Sequence, residues 1–288
     1  MDSKKGRYPL FKDPWRGNKR RYRPVAAIGL IAALILLIHI AHSLTLDKTI
    51  RYVEIERYYE NWPAELDGYR IAFMTDTHTI TDGGMKRVVT ELNERNLDLM
   101  LLGGDFSMGA GHYLGTLREI AQIRARDGIF GAEGNHDDYI RLFAALEQHG
   151  ITPLDNSGTR VREGFYLAGV QDMWNRKPDI EKAVAGARAG DFLLLVSHNP
   201  DATMTQNTQG IDLILSGHTH GGQITFFGFP FYLLRGTITK YGTRFAYGFA
   251  RSADGATVFI SRGVGDYYKT PRVFARPEVV IFTMRSMA

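Results

Sequence analysis

Five short apolar runs each end in a cluster of Asp, His, Asn and Gly, and this repetition constrains the fold more than anything else in the chain. The runs are Arg70–Thr75, Leu97–Leu102, Gly128–Ala132, Phe192–Val196 and Ile211–Ser216. They lead into Asp76-Thr77-His78, Gly103-Gly104-Asp105, Gly134-Asn135-His136-Asp137, Ser197-His198-Asn199-Pro200 and Gly217-His218-Thr219-His220. Stretches with helical periodicity fall between them, at Met85–Asn96, Tyr113–Arg126, Tyr139–His149 and Pro178–Ala189. Short apolar strands alternating with helices predict βαβ units. After Gly222 the pattern turns Gly-rich, aromatic and alternating, and Thr257–Ser261 and Val279–Met284 predict antiparallel strands. The body is therefore expected to be α/β in its first part and mainly β in its last. In open α/β sheets, ligands bind beyond the carboxyl ends of the strands, where all five clusters would lie.

The histidines sharpen this expectation. Of nine in the chain, five lie in the clusters. His39 and His42 fall in an apolar segment, and only His112 and His149 remain. There is no cysteine, so a disulfide, a thiolate metal site and a cysteine nucleophile are excluded. Imidazole and carboxylate without sulfur suit first-row cations such as Mn, Fe or Zn rather than Ca. Asp76, His78, Asp105, Asn135, His198, His218 and His220 are more ligands than one ion needs, but two ions sharing a carboxylate would use them all. Other chemistries lack their signatures. No G-x-x-x-x-G-K-[ST] phosphate loop occurs, and no G-x-S-x-G elbow follows a strand.

Asp-x-His, Gly-Asp, Gly-Asn-His-Asp, a lone His and Gly-His-x-His, in that order, resemble the calcineurin-like metallophosphoesterase superfamily. Asn61–Gly68, His218–Gln223 and Arg272 with Arg276-Pro277-Glu278 resemble its membrane-anchored YkuE/YaeI-like subgroup. The resemblance spans about residues 50–285. It implies two mixed β-sheets packed as a sandwich and flanked by helices. It also implies that Asp76, His78 and His220 hold one divalent ion, that Asn135, His198 and His218 hold a second, and that Asp105 bridges them. The nucleophile would be a water or hydroxide between the ions, and His136 would act on the phosphate or the leaving oxygen. Many relatives carry an acid three residues after the Gly-Asp; here that position is Met108.

The N-terminus carries a different signal. Val25–Leu46 is 22 residues without Asp, Glu, Lys or Arg. At about 1.5 Å per residue such a helix would cross a hydrocarbon core of about 30 Å. Nine Lys/Arg and two acids precede it within residues 1–24, whereas only Lys48 and Arg51 closely follow it. This asymmetry predicts a cytoplasmic tail at 1–24, a single-pass anchor in the inner membrane at 25–46 and a catalytic domain at 47–288 on the extracytoplasmic side. Ala41-His42-Ser43 is a faint match to a cleavage site, but the apolar stretch is long for a signal peptide, and a retained anchor is expected. Arg20-Arg21 sits in a basic cluster that departs from the full twin-arginine export motif.

The substrate class is less constrained. The remaining 264 residues carry 26 basic and 29 acidic side chains, so the body has no excess charge to grip an extended nucleic acid. A phosphate ester is expected as substrate. The second class is a nucleotide or nucleic-acid phosphodiesterase of the same superfamily, and the third is a membrane scaffold without catalysis. Ile224–Leu234 holds four Phe, one Tyr and several aliphatic residues beside the last cluster. It is expected to be a buried strand or part of the core between sheets. The competing expectation is an apolar wall or a lipid-dipping surface, which would suit a lipid-linked substrate.

Overall fold

The computed structural model describes residues 19–78, 80–106, 114–266 and 270–287. The chain divides into two units, residues 1–41 and 42–288. The first contains most of helix α1 (Lys19–Leu44). Val25, Ile28, Leu30, Ile31, Leu34, Leu36 and Leu37 are all more than half exposed, which a core helix does not tolerate. By length and composition this helix can cross a membrane.

The second unit is built on two six-stranded sheets. The first sheet contains β1 (Arg51–Tyr59), β2 (Tyr69–Met74), β3 (Leu99–Leu102), β4 (Ile129–Gly131), β5 (Thr152–Pro153) and β12 (Glu278–Ser286). Its order is β1-β12-β2-β3-β4-β5. The second contains β6 (Ser157–Arg162), β7 (Phe165–Gly169), β8 (Phe192–Val196), β9 (Leu213–Ser216), β10 (Gly248–Arg251) and β11 (Thr257–Ile260). Its order is β10-β11-β9-β8-β7-β6. Both are mixed. β2, β3, β4 and β5 run parallel, as do β7, β8, β9 and β11.

Side chains alternate across a strand with period two, and the chain uses this to make three apolar layers. Ile71, Phe73, Leu99, Leu101, Val280 and Phe282 of the first sheet face Leu167, Leu194, Val196, Leu213, Leu215 and Phe259 of the second. Their neighbours Ala72, Met74, Met100, Leu102, Val279 and Ile281 point the other way. These pack under α2 (Asp82–Asn93), α3 (Leu114–Ile120) and α4 (Tyr139–Gln148) through Met85, Val88, Leu92, Leu117, Ile120, Leu142 and Leu146. On the outer face of the second sheet, Ala168, Leu195 and Ile214 pack with Ile180 and Ala183 of α5 (Ile180–Val184). The continuous apolar runs are strands buried on both faces, as parallel sheets require.

The expected sandwich with flanking helices is present. The helices over Tyr113–Arg126 and Pro178–Ala189 are shorter than their periodicity predicts, ending at Ile120 and Val184. The two late strands are antiparallel on one side only. β11 pairs antiparallel with β10 but parallel with β9, and β12 pairs antiparallel with β2 but parallel with β1. Ile224–Leu234 forms no strand, and of its apolar side chains only Leu233 and Pro230 are buried. Ile224, Phe226, Phe227, Phe229, Phe231, Tyr232 and Leu234 all stand 41% or more exposed, so the expectation of a buried strand is corrected.

Candidate metal centre

All five clusters meet at one edge of the sandwich, because β2, β3 and β4 end there from one sheet and β8 and β9 from the other. Two buried trios result, Asp76 with His78 and His220, and Asp105 with His198 and His218. In the first, His78 Nε2 lies 3.1 Å from His220 Nε2, and Asp76 Oδ1 lies 3.3 Å from His220 Nε2. In the second, His198 Nε2 lies 3.2 Å from Asp105 Oδ2 and 3.2 Å from Asn135 Oδ1. Asn135 Oδ1 is also 2.8 Å from His218 Nδ1. Asp105 Oδ2 joins the two trios, since it lies 3.5 Å from His78 Nε2. Its other oxygen accepts the His136 backbone N–H at 2.8 Å.

The outward nitrogens of these rings fix which inward nitrogen is free. His198 Nδ1 donates to the Gly103 carbonyl at 2.7 Å, and His218 Nε2 donates to the Ile238 carbonyl at 3.0 Å. That leaves Nδ1 of His218 as a lone pair and turns Nε2 of His198 toward Asn135 and Asp105. Asp76 is held by the His218 backbone N–H at 3.1 Å and the Thr75 hydroxyl at 2.9 Å. The Asp137 carboxylate accepts the backbone N–H groups of Asp105, Phe106 and Gly134, which locks the two neighbouring loops together.

Backbone strain is concentrated at this edge. Asp76, His78, Asp105, His218 and His220 have φ of 53°, 33°, 55°, 71° and 51°. Non-glycine residues rarely occupy this region, and they persist there only when their surroundings over-determine them. Gly217 shows why small residues flank the ligands, for a Cβ there would collide with the Asp76 carboxylate and the Thr75 hydroxyl.

The electrostatics call for cations. Burial, then His198, pushes His218 down to about 3, and burial with His78 and Arg272 holds His220 well below the ordinary imidazole range. Both rings are neutral donors of lone pairs at neutral pH. Burial opposes charge on Asp105, yet His198, His78 and His136 hold its carboxyl well below the usual range. Burial likewise disfavours charge on His198, but Asp105, Asp76 and Asp172 outweigh it and raise the ring well above its usual value. Buried imidazole and carboxylate lone pairs converging at 3.1–3.5 Å, with no sulfur among them, fit first-row divalent ions.

Asp105, His218 and His220 of the two trios line a cavity of about 630 Å³. Asn135, His136 and His218 line its polar end, and Trp174, Ile224, Phe231, Tyr232 and Ile238 line the rest. The profile of the calcineurin-like phosphoesterase family matches residues 69–222, which covers four of the six strands of each sheet and every cluster. This chain belongs to that family. The family uses two divalent metal ions, and the two trios are groups that could hold them. A transmembrane protein with metallophosphoesterase domain from Danio rerio is 29% identical over 82% of this chain and 57% of its own length. The uncharacterized metallophosphoesterase YkuE of Bacillus subtilis is 30% identical over 78% of this chain and 82% of its own. An uncharacterized metallophosphoesterase of Helicobacter pylori is 28% identical over 74% of this chain and 58% of its own. The chain thus spans somewhat over half the length of the first and third of these relatives. The relatives' names and the apolar N-terminal helix together point to membrane anchoring.

Every candidate ligand lies at this edge, and His136 lies beside them, its ring edge-on to His78 at 5.5 Å. Met108 lies outside the described residues. Trp174 and Asn175 were not legible beforehand, and Arg272 was legible only as part of the resemblance. Trp174 packs edge-on against His218 at 4.6 Å, and Asn175 hydrogen-bonds the Asn135 carbonyl. Arg272, fully buried, bonds the carbonyls of Arg262, Ala275 and Gly265 and places its guanidinium 3.3 Å from His220 Nδ1. Trp174 and Asn175 come from a loop without helical or strand periodicity.

Proposed function

We propose that the chain hydrolyses a phosphodiester or pyrophosphate-type bond at a membrane surface. The observation that carries this reading is the position of Asp105 Oδ2, within 3.5 Å of both trios. In this reading Asp76, His78 and His220 hold one divalent ion, Asn135, His198 and His218 hold the other, and Asp105 contacts both. The ions supply Lewis acidity, lowering the pKa of a water and neutralising charge on the phosphate. The chain's own groups do the rest. The hydrogen bonds from His198 to Gly103 and from His218 to Ile238 keep the rings from turning. His136 is half-buried at the cavity edge and is not counted among the ligands; in this reading its ring acts on the phosphate or the leaving oxygen. Trp174, Phe231 and Tyr232 exclude water from one side and favour a substrate with an apolar part.

The first test is direct. The full chain should hydrolyse a chromogenic bis-aryl phosphodiester with added Mn²⁺, carry close to two first-row ions and lose turnover to a chelator. Undiminished hydrolysis by metal-free protein would remove the two-ion reading, and two bound ions with no hydrolysis of any phosphoester would favour the scaffold alternative.

The domain division follows the same proposal, with a cytoplasmic tail at 1–24, an anchor at 25–46 and a catalytic domain at 47–288 outside the inner membrane. The +7 charge of the tail supports this orientation. A reporter that works only outside the cytoplasm, fused after Ala288, should be active. A cytoplasmic reporter active at the same position would reverse the topology.

A further inference from the structure

The aromatic run beside the metal centre is a rigid, outward-facing hairpin. Phe226 and Phe229 exchange backbone hydrogen bonds at 3.0 and 2.9 Å. Phe227 and Gly228 between them have φ of 49° and 87°, the signs of a type I′ turn. Asn, Asp or Gly is the usual first central residue of that turn; here it is a bulky Phe. The hairpin is pinned to the body, because the Thr225 N–H bonds the Val273 carbonyl at 3.0 Å and the Val273 N–H bonds the Gln223 carbonyl at 2.9 Å. Thr225 Oγ1 also accepts the Gly228 N–H. Yet Phe226, Phe227, Phe229 and Leu234 are each at least half exposed. A strained turn, held firmly, presents aromatic side chains to the outside.

The hairpin is continuous with the first residues of the second unit. Phe274 lies 5.2 Å from Phe227 and stacks at 3.9 Å on His42, in the last turn of α1. The buried Asp47 fastens this junction, with Oδ2 2.8 Å from both His42 Nδ1 and the Phe274 N–H. The charge fits as well. Residues 224–251 contain Arg235, Lys240, Arg244 and Arg251 and no Asp or Glu, and the first three are exposed. Aromatic and aliphatic side chains with basic residues beside them match the acyl–headgroup boundary of an anionic bilayer.

We propose that the Phe226–Phe229 hairpin and Leu234 seat in the surface of an anionic bilayer, and that the cavity thereby opens onto lipid and takes a phosphoester bearing an acyl or alkyl chain. Ile224, Phe231 and Tyr232 belong both to this run and to the cavity wall, so the apolar surface leads inward to Asn135 and His136. The inference rests on the phosphoesterase reading above and adds the partner and the substrate class.

The chain has no cysteine, so a single Phe229→Cys substitution gives a unique labelling site. The full-length variant, labelled with an environment-sensitive dye, is placed one copy per nanodisc of phosphatidylcholine and phosphatidylglycerol. The dye should report an apolar setting and be quenched by lipids carrying a shallow nitroxide. A label at Glu163, whose side chain is 82% exposed, should report water. A water-exposed dye at 229 overturns the proposal, as does burial of the dye only when two copies share a disc, which would assign the patch to a second chain. In parallel, Phe226→Ser/Phe229→Ser/Leu234→Ser is assayed with a bis-nitrophenyl phosphate in solution and with hexadecyl nitrophenyl phosphate embedded in the disc. The variant should keep the soluble activity and lose the embedded one by at least about tenfold, as buried apolar area sets interfacial binding. Equal rates on the embedded diester for variant and wild type overturn the proposal. Wild-type protein inactive on both diesters overturns the phosphoesterase reading instead, and the dye still tests the bilayer contact.

Discussion

Asp105→Asn should lower turnover more than any other conservative change in the chain. The carboxylate lies between the two trios, at 3.5 Å from His78 Nε2 and 3.2 Å from His198 Nε2. An amide of the same size removes the negative charge between two cations and turns either a donor or a single neutral oxygen toward them. Loss of a few kcal/mol of transition-state charge stabilisation is about 10³-fold in rate, since each ~1.4 kcal/mol is tenfold. Metal content should fall below two per chain. The fold should survive, because the Asp105 and Phe106 backbone N–H groups still bond Asp137. Near-normal rate with both ions present in Asp105→Asn would show that the carboxylate is not shared.

The neighbours Asn135 and His136 should fail in different ways. Asn135 Oδ1 lies 3.2 Å from His198 Nε2 and 2.8 Å from His218 Nδ1, so on the two-ion reading its loss opens one ligand position. Asn135→Ala should lower metal content and activity, and excess Mn²⁺ should restore part of both. His136 is tied to the site through its backbone N–H on Asp105, which an alanine keeps. His136→Ala should therefore retain both ions and lose about 10²–10⁴-fold in turnover if the ring is a proton donor. The loss should shrink for a leaving group such as nitrophenolate, which needs no proton. If His136→Ala loses metal as Asn135→Ala does, the division of labour is wrong. Equal losses on good and poor leaving groups would instead make His136 an electrostatic stabiliser.

The strands that carry the centre were legible because they are buried on both faces. Leu99–Leu102, Phe192–Val196 and Leu213–Ser216 read as unbroken apolar runs, and the ligands follow within a few residues. β1 was not legible. It alternates Val53 and Ile55 with Glu54 and Glu56 at the sheet edge, and its charges masked the pattern. β6, also half exposed, was missed for the same reason. The Ile238 carbonyl and the Trp174 ring reach the site along loops, where spacing carries no information about contact. The expectation for Ile224–Leu234 failed for a different cause. Hydrophobicity says that a side chain avoids water, but it does not say which apolar phase receives it, and the type I′ turn at Phe227-Gly228 has no signature that composition reveals.

The positive φ angles at Asp76, His78, Asp105, His218 and His220 have a consequence for the protein's life in the cell. Left-handed backbone costs a non-glycine residue of order 1 kcal/mol, set against a typical net stability of about 5–15 kcal/mol for a whole domain. The working edge is thus the place where the metal-free body is most inclined to open. Ions that bind the folded state alone pull that equilibrium back by mass action. On the two-ion reading, metal acts on stability as well as on turnover, so chelator-treated protein should be cleaved by a protease faster than metal-loaded protein.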